Sequence, residues 1–368
     1  MRIAIVGPTH PYKGGVAQYT TSLAHWLAGA GHDVRLESWS NQYPKRLYPG
    51  QLTVDEPELP VFDHTARDLS WRRPDGWYRV GRRLRGADLV VLVVVTPVQM
   101  PAYLGILAGL GRPGQRTARV VAECHNVLPH ERRPVDVRLM HAVLSRVDGV
   151  LVHSAQQEEL ARTVTDRPVV VQHMAPLLVA AAEESAPQQQ LDEVYHRLLF
   201  FGLVRPYKGL DVLLRAMAAG PPETALLVAG EFWGGPGTTE QLIAELGLRD
   251  RVELRPGYVA SEDVPDLFAR VDALVLPYRS ATASFNAYLA FEHGVPVIAT
   301  RVGTIEGDVR DGVDGVLCEP DDVDSLAAAL RTFYTDGMPG KLRGGVPAVD
   351  PGPKWEAYVA ALTGVATS

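Results

Sequence analysis

Short apolar, β-branched runs alternate with amphipathic stretches along this chain, and the alternation happens twice. In the first half the runs are Ile3–Val6, Val34–Glu37, Leu89–Val95, Val120–Ala122, Val150–Val152 and Val169–Val171. Stretches such as Ala17–Leu27 and Gln156–Thr163 lie between them with helical spacing. A strand that returns to pair in parallel needs a crossover, normally a helix. Strict alternation therefore predicts βαβ units and a parallel sheet. The pattern restarts with Leu198–Phe201, Ala225–Val228, Val252–Leu254, Ala273–Leu276 and Val297–Ala299. A helix is predicted from about Asp321–Asp322, whose carboxylates suit a positive N-terminus, through Ser325 to Leu330. Residues 180–190, a run of Ala, Glu, Ser and Gln with one proline, lack strand character and read as a linker. Gly337–Pro353 is rich in glycine and proline, and a last amphipathic piece, Trp355–Leu362, follows it. The expected fold class is α/β, with two doubly wound, Rossmann-like parallel-sheet domains. Their expected bounds are 1–180, a linker at 181–195, 196–350, and a terminal helix at 351–368. Such sheets bind ligands beyond the carboxyl ends of their strands, so the two domains are expected to face a cleft.

Composition narrows the function. A length of 368 residues suits two domains, and 46% apolar with 21% charged residues is ordinary for a globular chain. Thirty-six basic against 43 acidic side chains leave a net charge of −7, which argues against a nucleic-acid partner. Cys124 and Cys318 are the only cysteines and form no C-x-x-C pair, which fits a reducing compartment and argues against a zinc cage. The apolar run Met1–Gly7 is too short for a signal peptide, so a cytoplasmic location is expected. The most apolar stretch, Ala87–Leu110, is broken by Pro97 and Pro101 and reads as a buried strand followed by a helix.

Two turns draw attention. The first strand opens into Gly7-Pro8-Thr9-His10-Pro11-Tyr12-Lys13-Gly14-Gly15 ahead of a helix. Paired glycines there let the backbone approach a ligand, and the helix N-terminus offers free N–H groups to an anion. The pattern is not G-x-G-x-x-G, so no dinucleotide site is indicated. The second half opens with Phe200-Phe201-Gly202-Leu203-Val204-Arg205-Pro206-Tyr207-Lys208-Gly209. Two cations three residues apart at a helix N-terminus are electrostatically disfavoured unless an anion lies between them, and a diphosphate is such an anion. A solvated basic turn is the alternative. His125, in Glu123-Cys124-His125-Asn126-Val127-Leu128-Pro129-His130-Glu131, is a further candidate. H-E-x-x-H is absent and the loop is broken by proline, so a metal role is disfavoured and none is expected.

Taken together, Gly14-Gly15, Gly202-x-x-Arg205-x-x-Lys208-Gly209, Ala229-Gly230-Glu231, Tyr278-Arg279-Ser280-Ala281-Thr282 and the run Gly294–Gly303 resemble a family 4 glycosyltransferase of the GT-B fold over essentially the whole chain. The resemblance implies a metal-independent transfer of sugar from a nucleotide-diphospho-sugar to a hydroxyl acceptor, with retention at the anomeric carbon and no further cofactor. It implies that Arg205 and Lys208 hold the donor diphosphate, with Gly202 at the same turn, and that Gly14 and Gly15 lend backbone to the donor. His125 would line the sugar pocket, and the loop Gly257-Tyr258-Val259 would meet the base, uridine or guanosine. The Trp355–Tyr358 helix matches the terminal helix that returns to the N-terminal domain in such enzymes.

The chain also departs from the family. The usual paired glutamates are replaced by Ala281 and Leu289, and Glu292 falls three residues further on. A subset of the family resembles it in this. The backbone of Ala283, Ser284 and Phe285 is then the expected phosphate contact, and Glu306 the stand-in for a carboxylate usually found one position later. Loss of the pair leaves two alternatives open: a nucleotide-binding or partner protein that has lost catalysis, and a nucleotide-sugar epimerase. Seven arginines between Arg67 and Arg85, interleaved with Trp71, Trp77 and Tyr78, read either as a solvated face or as a contact for an acidic acceptor or a membrane surface.

Overall fold

Leu89–Val94 is apolar at every position because both faces of the strand it forms are covered, and all six residues are buried. The computed structural model describes residues 1–44, 52–57, 59–129, 133–177, 196–281 and 285–367. The chain divides into two units, Met1–Ala180 together with Asp350–Ser368, and Ala181–Val349. The predicted linker at 181–195 lies outside the described residues.

The first unit runs β1 (Arg2–Val6), α1 (Gly15–Gly29), β2 (Asp33–Asn41), β3 (Thr65–Ser70), α2 (Pro74–Arg83), β4 (Leu89–Val94), α3 (Met100–Leu110), β5 (Arg119–Cys124), α4 (Pro134–Leu144), β6 (Gly149–Val152), α5 (Ala155–Arg162) and β7 (Val169–Val171). Its seven strands are ordered β3-β2-β1-β4-β5-β6-β7, all parallel. The second unit runs β8 (Arg197–Phe201), α6 (Leu210–Ala218), β9 (Ala225–Gly230), α7 (Gly237–Glu245), β10 (Val252–Pro256), α8 (Val264–Phe268), β11 (Ala273–Leu276), α9 (Phe285–Glu292), β12 (Val297–Thr300), α10 (Ile305–Asp308), β13 (Gly315–Cys318), α11 (Val323–Phe333) and α12 (Met338–Gly345). Its six strands are ordered β10-β9-β8-β11-β12-β13, again all parallel. The last helix, α13 (Gly352–Thr367), belongs to the first unit.

Three elements escaped the apolar pattern. β3 is an edge strand carrying Arg67 and Asp68, and only its last two residues are buried, so it lacks the run that marks a central strand. β13 closes the other sheet in four residues. α12 forms within a stretch read as glycine- and proline-rich: Gly337 enters it at φ 72°, proline occupies its first turn where no N–H is missed, and Leu342 and Arg343 are buried. The helix predicted near Asp321–Asp322 is α11, with the Asp322 side chain accepting from the Ser325 N–H at 2.9 Å. No helix among the described residues is long and apolar enough to cross a membrane.

Ala281 and Leu289, the positions of the missing glutamates, pack into the apolar cluster beneath the second sheet. Glu292 ends α9 half-buried, and burial pushes its carboxyl up to about 7. The native state therefore binds that proton more tightly than the unfolded chain does. The resulting stability is complete below about pH 4.5 and is lost as pH rises toward 7. Glu292→Gln is expected to gain roughly 2 kcal/mol at pH 8 and little at pH 4. Thermal melts at the two pH values check this, and equal shifts at both would contradict it.

Candidate functional site

In a doubly wound sheet, ligands bind outside the carboxyl ends of the strands where the strand order reverses. In the second sheet that point lies between β8 and β11. Gly202 follows β8 at φ 95°, and a Cβ there would lie 3.5 Å from Lys208 Nζ and 3.6 Å from Asn286 Nδ2. Asn286 is held by donating to the Phe201 carbonyl at 3.0 Å. Gly202, Lys208 and the first turn of α9 thus converge at the switch point. Gly209 closes the turn at φ 68°, where a Cβ would come within 2.0 Å of the Pro277 carbonyl oxygen, so only glycine fits.

Among the described residues the two cations of this corner have no counter-ions. The Arg205 guanidinium stacks over Trp233, 4.2 Å from the ring centroid, and its buried Nε has no hydrogen-bond partner among the described residues. Lys208 Nζ sits 5.3 Å over the Tyr278 ring, and desolvation lowers its pKa. Aromatic faces hold both charges by cation–π attraction without neutralising them. Arg279 provides the contrast. It is bidentate to Asp211, with Nη2 2.7 Å from Oδ2, and bonds Asp321 at 2.7 Å. It also donates from Nη1 to the Pro206 carbonyl and from its backbone N–H to the Tyr207 carbonyl, each at 2.8 Å. Arg279 is therefore a clamp on the turn that presents Arg205 and Lys208. Trp233 and Asn286 were missed in the sequence, and Tyr278 and Arg279 entered only as part of a family motif with no role attached, because aromatics near a glycine-rich loop have no signature of their own.

The other candidates of the second unit lie along the same edge. Tyr258 and Val259 follow β10 and line a cavity of about 650 Å³ with Arg197, Asp263, Asp266 and Arg270; Arg205 and Lys208 are not among its walls. Phe285 begins α9, while Ala283 and Ser284 lie outside the described residues. Glu306 is exposed on α10, 3.9 Å from Arg301, which also pairs with Asp311 and Glu319.

In the first unit, Gly14 caps α1 at φ 95° and Gly15 begins the helix. His125 follows β5, buried, with Tyr19 of α1 edge-on to its ring at 5.5 Å and His153 at 5.0 Å. Burial lowers the pKa of both histidines, that of His153 to about 4, so both are neutral at pH 7. Glu123 adds a buried carboxyl, 3.9 Å from His125 Nε2. Together with His153, these side chains bring one N or O atom each within 4.8 Å of one another. His130 and Glu131 lie outside the described residues. The arginine stretch is partly neutralised from within: Arg83 pairs with Glu37 and Asp68, Arg79 with Asp75, and Arg67 donates to the His10 carbonyl. Trp71, Tyr78, Arg72 and Arg82 are exposed.

Residues 14–200 match the family described as glycosyl transferase 4-like domain, and residues 195–336 match glycosyl transferases group 1. A D-inositol 3-phosphate glycosyltransferase of Streptomyces coelicolor is 34% identical over 228 residues, 58% of this chain and 49% of that protein. Across such relatives the aligned part spans between 28% and 49% of their length, well under two thirds. Sucrose-phosphate synthase from Thermosynechococcus elongatus superposes with a TM-score of 0.69 at 21% identity, over 100% of this chain and 96% of that one. Anabaena HepE in complex with UDP-glucose superposes at 0.67 and 17% identity, over 100% and 98%. These likenesses show the same two-domain α/β fold, the GT-B architecture expected from the motifs.

Proposed function

Because the chain belongs to the glycosyl transferase 4-like family, we propose that it transfers a sugar from a nucleotide-diphospho-sugar to a hydroxyl acceptor, with retention and without a metal. The observation that carries this reading is the pair of cations, Arg205 and Lys208, left without carboxylate partners among the described residues at the switch point while neighbouring Arg279 is fully paired. The leaving nucleoside diphosphate gains negative charge as the glycosidic bond breaks. Two fixed cations in partly dry surroundings stabilise that charge more than they stabilise the neutral bond, which lowers the barrier.

In this reading Gly202 lets the diphosphate come close to the backbone, and Gly14 and Gly15 offer the N-terminus of α1. Tyr258 and Val259 meet the base. Ala283, Ser284 and Phe285 bring the start of α9 to a phosphate, Glu306 meets the sugar, and His125 meets a sugar hydroxyl. Uridine is the favoured base, supported by the UDP-glucose complex of a protein with this fold. An acidic acceptor is supported by relatives named for inositol 3-phosphate and by the exposed Arg72, Arg82, Trp71 and Tyr78. A thermal-shift series with UDP and GDP tests donor binding. At about 100 times its dissociation constant the right nucleotide stabilises by ~2.7 kcal/mol, and Arg205→Ala is expected to abolish that shift. No shift with any nucleoside diphosphate would overturn the reading.

A further inference from the structure

The carboxyl edge of the first sheet holds a buried polar cluster that the proposed transfer uses only through His125. Glu123, the penultimate residue of β5, is wholly buried. Tyr358 of α13, 235 residues further along the chain, donates its O–H to Glu123 Oε1. His125 Nε2 lies 3.9 Å from that same oxygen. His153, just after β6, donates its Nδ1–H to the Gln172 carbonyl at 3.2 Å, which leaves a lone pair on Nε2. Among the described residues Glu123 Oε2, His125 Nε2 and His153 Nε2 have no hydrogen-bond partner, and the three side chains bring N or O atoms within 4.8 Å of one another.

Buried acceptors that face each other need a hydrogen among them. His153 cannot supply it, because its ring proton is committed to Gln172. Tyr358 has already given its own to Oε1. With Glu123 ionised, the ring of His125 supplies it, with its proton on Nε2. We propose that Glu123 and Tyr358 are positioning residues for His125: the carboxylate accepts the Nε2 proton in a hydrogen bond that tightens when substrate binds, and so holds the ring in the tautomer whose Nδ1 lone pair is free for a sugar hydroxyl. The inference rests on the reading of His125 as a donor-sugar contact and adds what sets that histidine's state. A ring held in one tautomer accepts the hydroxyl at no further cost of reorganisation.

The groups facing Glu123 are His125 from its own loop, Tyr358 from α13, Tyr19 from α1, Tyr103 from α3, His153 beyond β6 and the adjacent Cys124. None is a cation at pH 7, and burial pushes the Glu123 carboxyl up to about 7. Since the relay needs the carboxylate, turnover is expected to fall as pH drops through that value.

The test is a double-mutant cycle read over pH with the full chain. Glu123→Gln keeps an acceptor for Tyr358 but has no titrating carboxyl. It is expected to lower kcat on the order of 10²-fold, to leave the KM for the donor unchanged, and to erase the acid limb near pH 7. In a His125→Ala background it is expected to do nothing more. Tyr358→Phe removes a hydrogen bond that favours the carboxylate, so it is expected to move the acid limb to higher pH. A Glu123→Gln protein with an unchanged kcat or an unchanged acid limb, beside an impaired His125→Ala, would overturn the relay alone. A loss that is equal with and without His125 would do the same. Wild-type turnover by His125→Ala would overturn the reading of His125, and the relay with it.

Discussion

Arg205→Ala and Lys208→Ala are each expected to lower kcat on the order of 10²–10³-fold, the cost of removing one fixed donor aimed at developing charge. The fold is expected to survive both changes. Neither side chain bonds a carboxylate among the described residues, and each rests on an aromatic face at the carboxyl edge of the second sheet. The two variants differ in detail. Arg205 stacks on Trp233, so its loss also frees that ring. Lys208 is desolvated over Tyr278, so its loss removes a charge from surroundings that raise its electrostatic worth. Lys208→Arg is no rescue, since a planar fork does not fit a site shaped for a compact ammonium beside Gly202. Steady-state rates with a nucleotide-sugar, measured alongside melting curves, check this. Wild-type rates from either alanine variant would remove the central support for the proposed function.

Trp355→Ala is expected to destabilise the first unit by about 3–5 kcal/mol, the usual cost of emptying a buried tryptophan site. Trp355 is fully buried, stacks on Tyr19 at 4.9 Å and on Trp26 at 5.9 Å, and donates Nε1–H to the Pro176 carbonyl at 2.6 Å. Truncation leaves a cavity between α1 and α13 and an unpaired carbonyl. The effect belongs to the first unit even though Trp355 follows the second unit in sequence. Hydrogen exchange resolves the two: amides of β1, β4 and β5 should exchange faster, while those of β8, β11 and β12 keep their protection. Equal loosening in both sheets would contradict the assignment of α13.

The fold was legible wherever a strand is buried on both faces. Runs such as Leu89–Val94 and Ala273–Leu276 are apolar throughout because parallel strands between helix layers have no wet side. β3 was not legible, because an edge strand needs no such run and carries charge instead. In the candidate site, Arg205 and Lys208 stood out because two cations at a helix start need a reason. Trp233, Asn286 and the Arg279–Asp211 clamp did not, since their roles depend on which loops the sheet order places side by side.

Local chemistry along the chain determined the alternation of strand and helix, the restart of the pattern, and the basic turn that begins the second half. Each follows from hydrophobic period, glycine placement and charge within a few residues. Tertiary structure alone decided that, among the described residues, Arg205 and Lys208 have no carboxylate partners while Arg279 has two, and that Tyr358 reaches Glu123 across 235 residues. Whether a charge is neutralised, or a buried carboxyl finds a donor, depends on distances of a few ångströms between elements remote in sequence. Those distances are set by how the sheets wind and how α13 returns to the first unit.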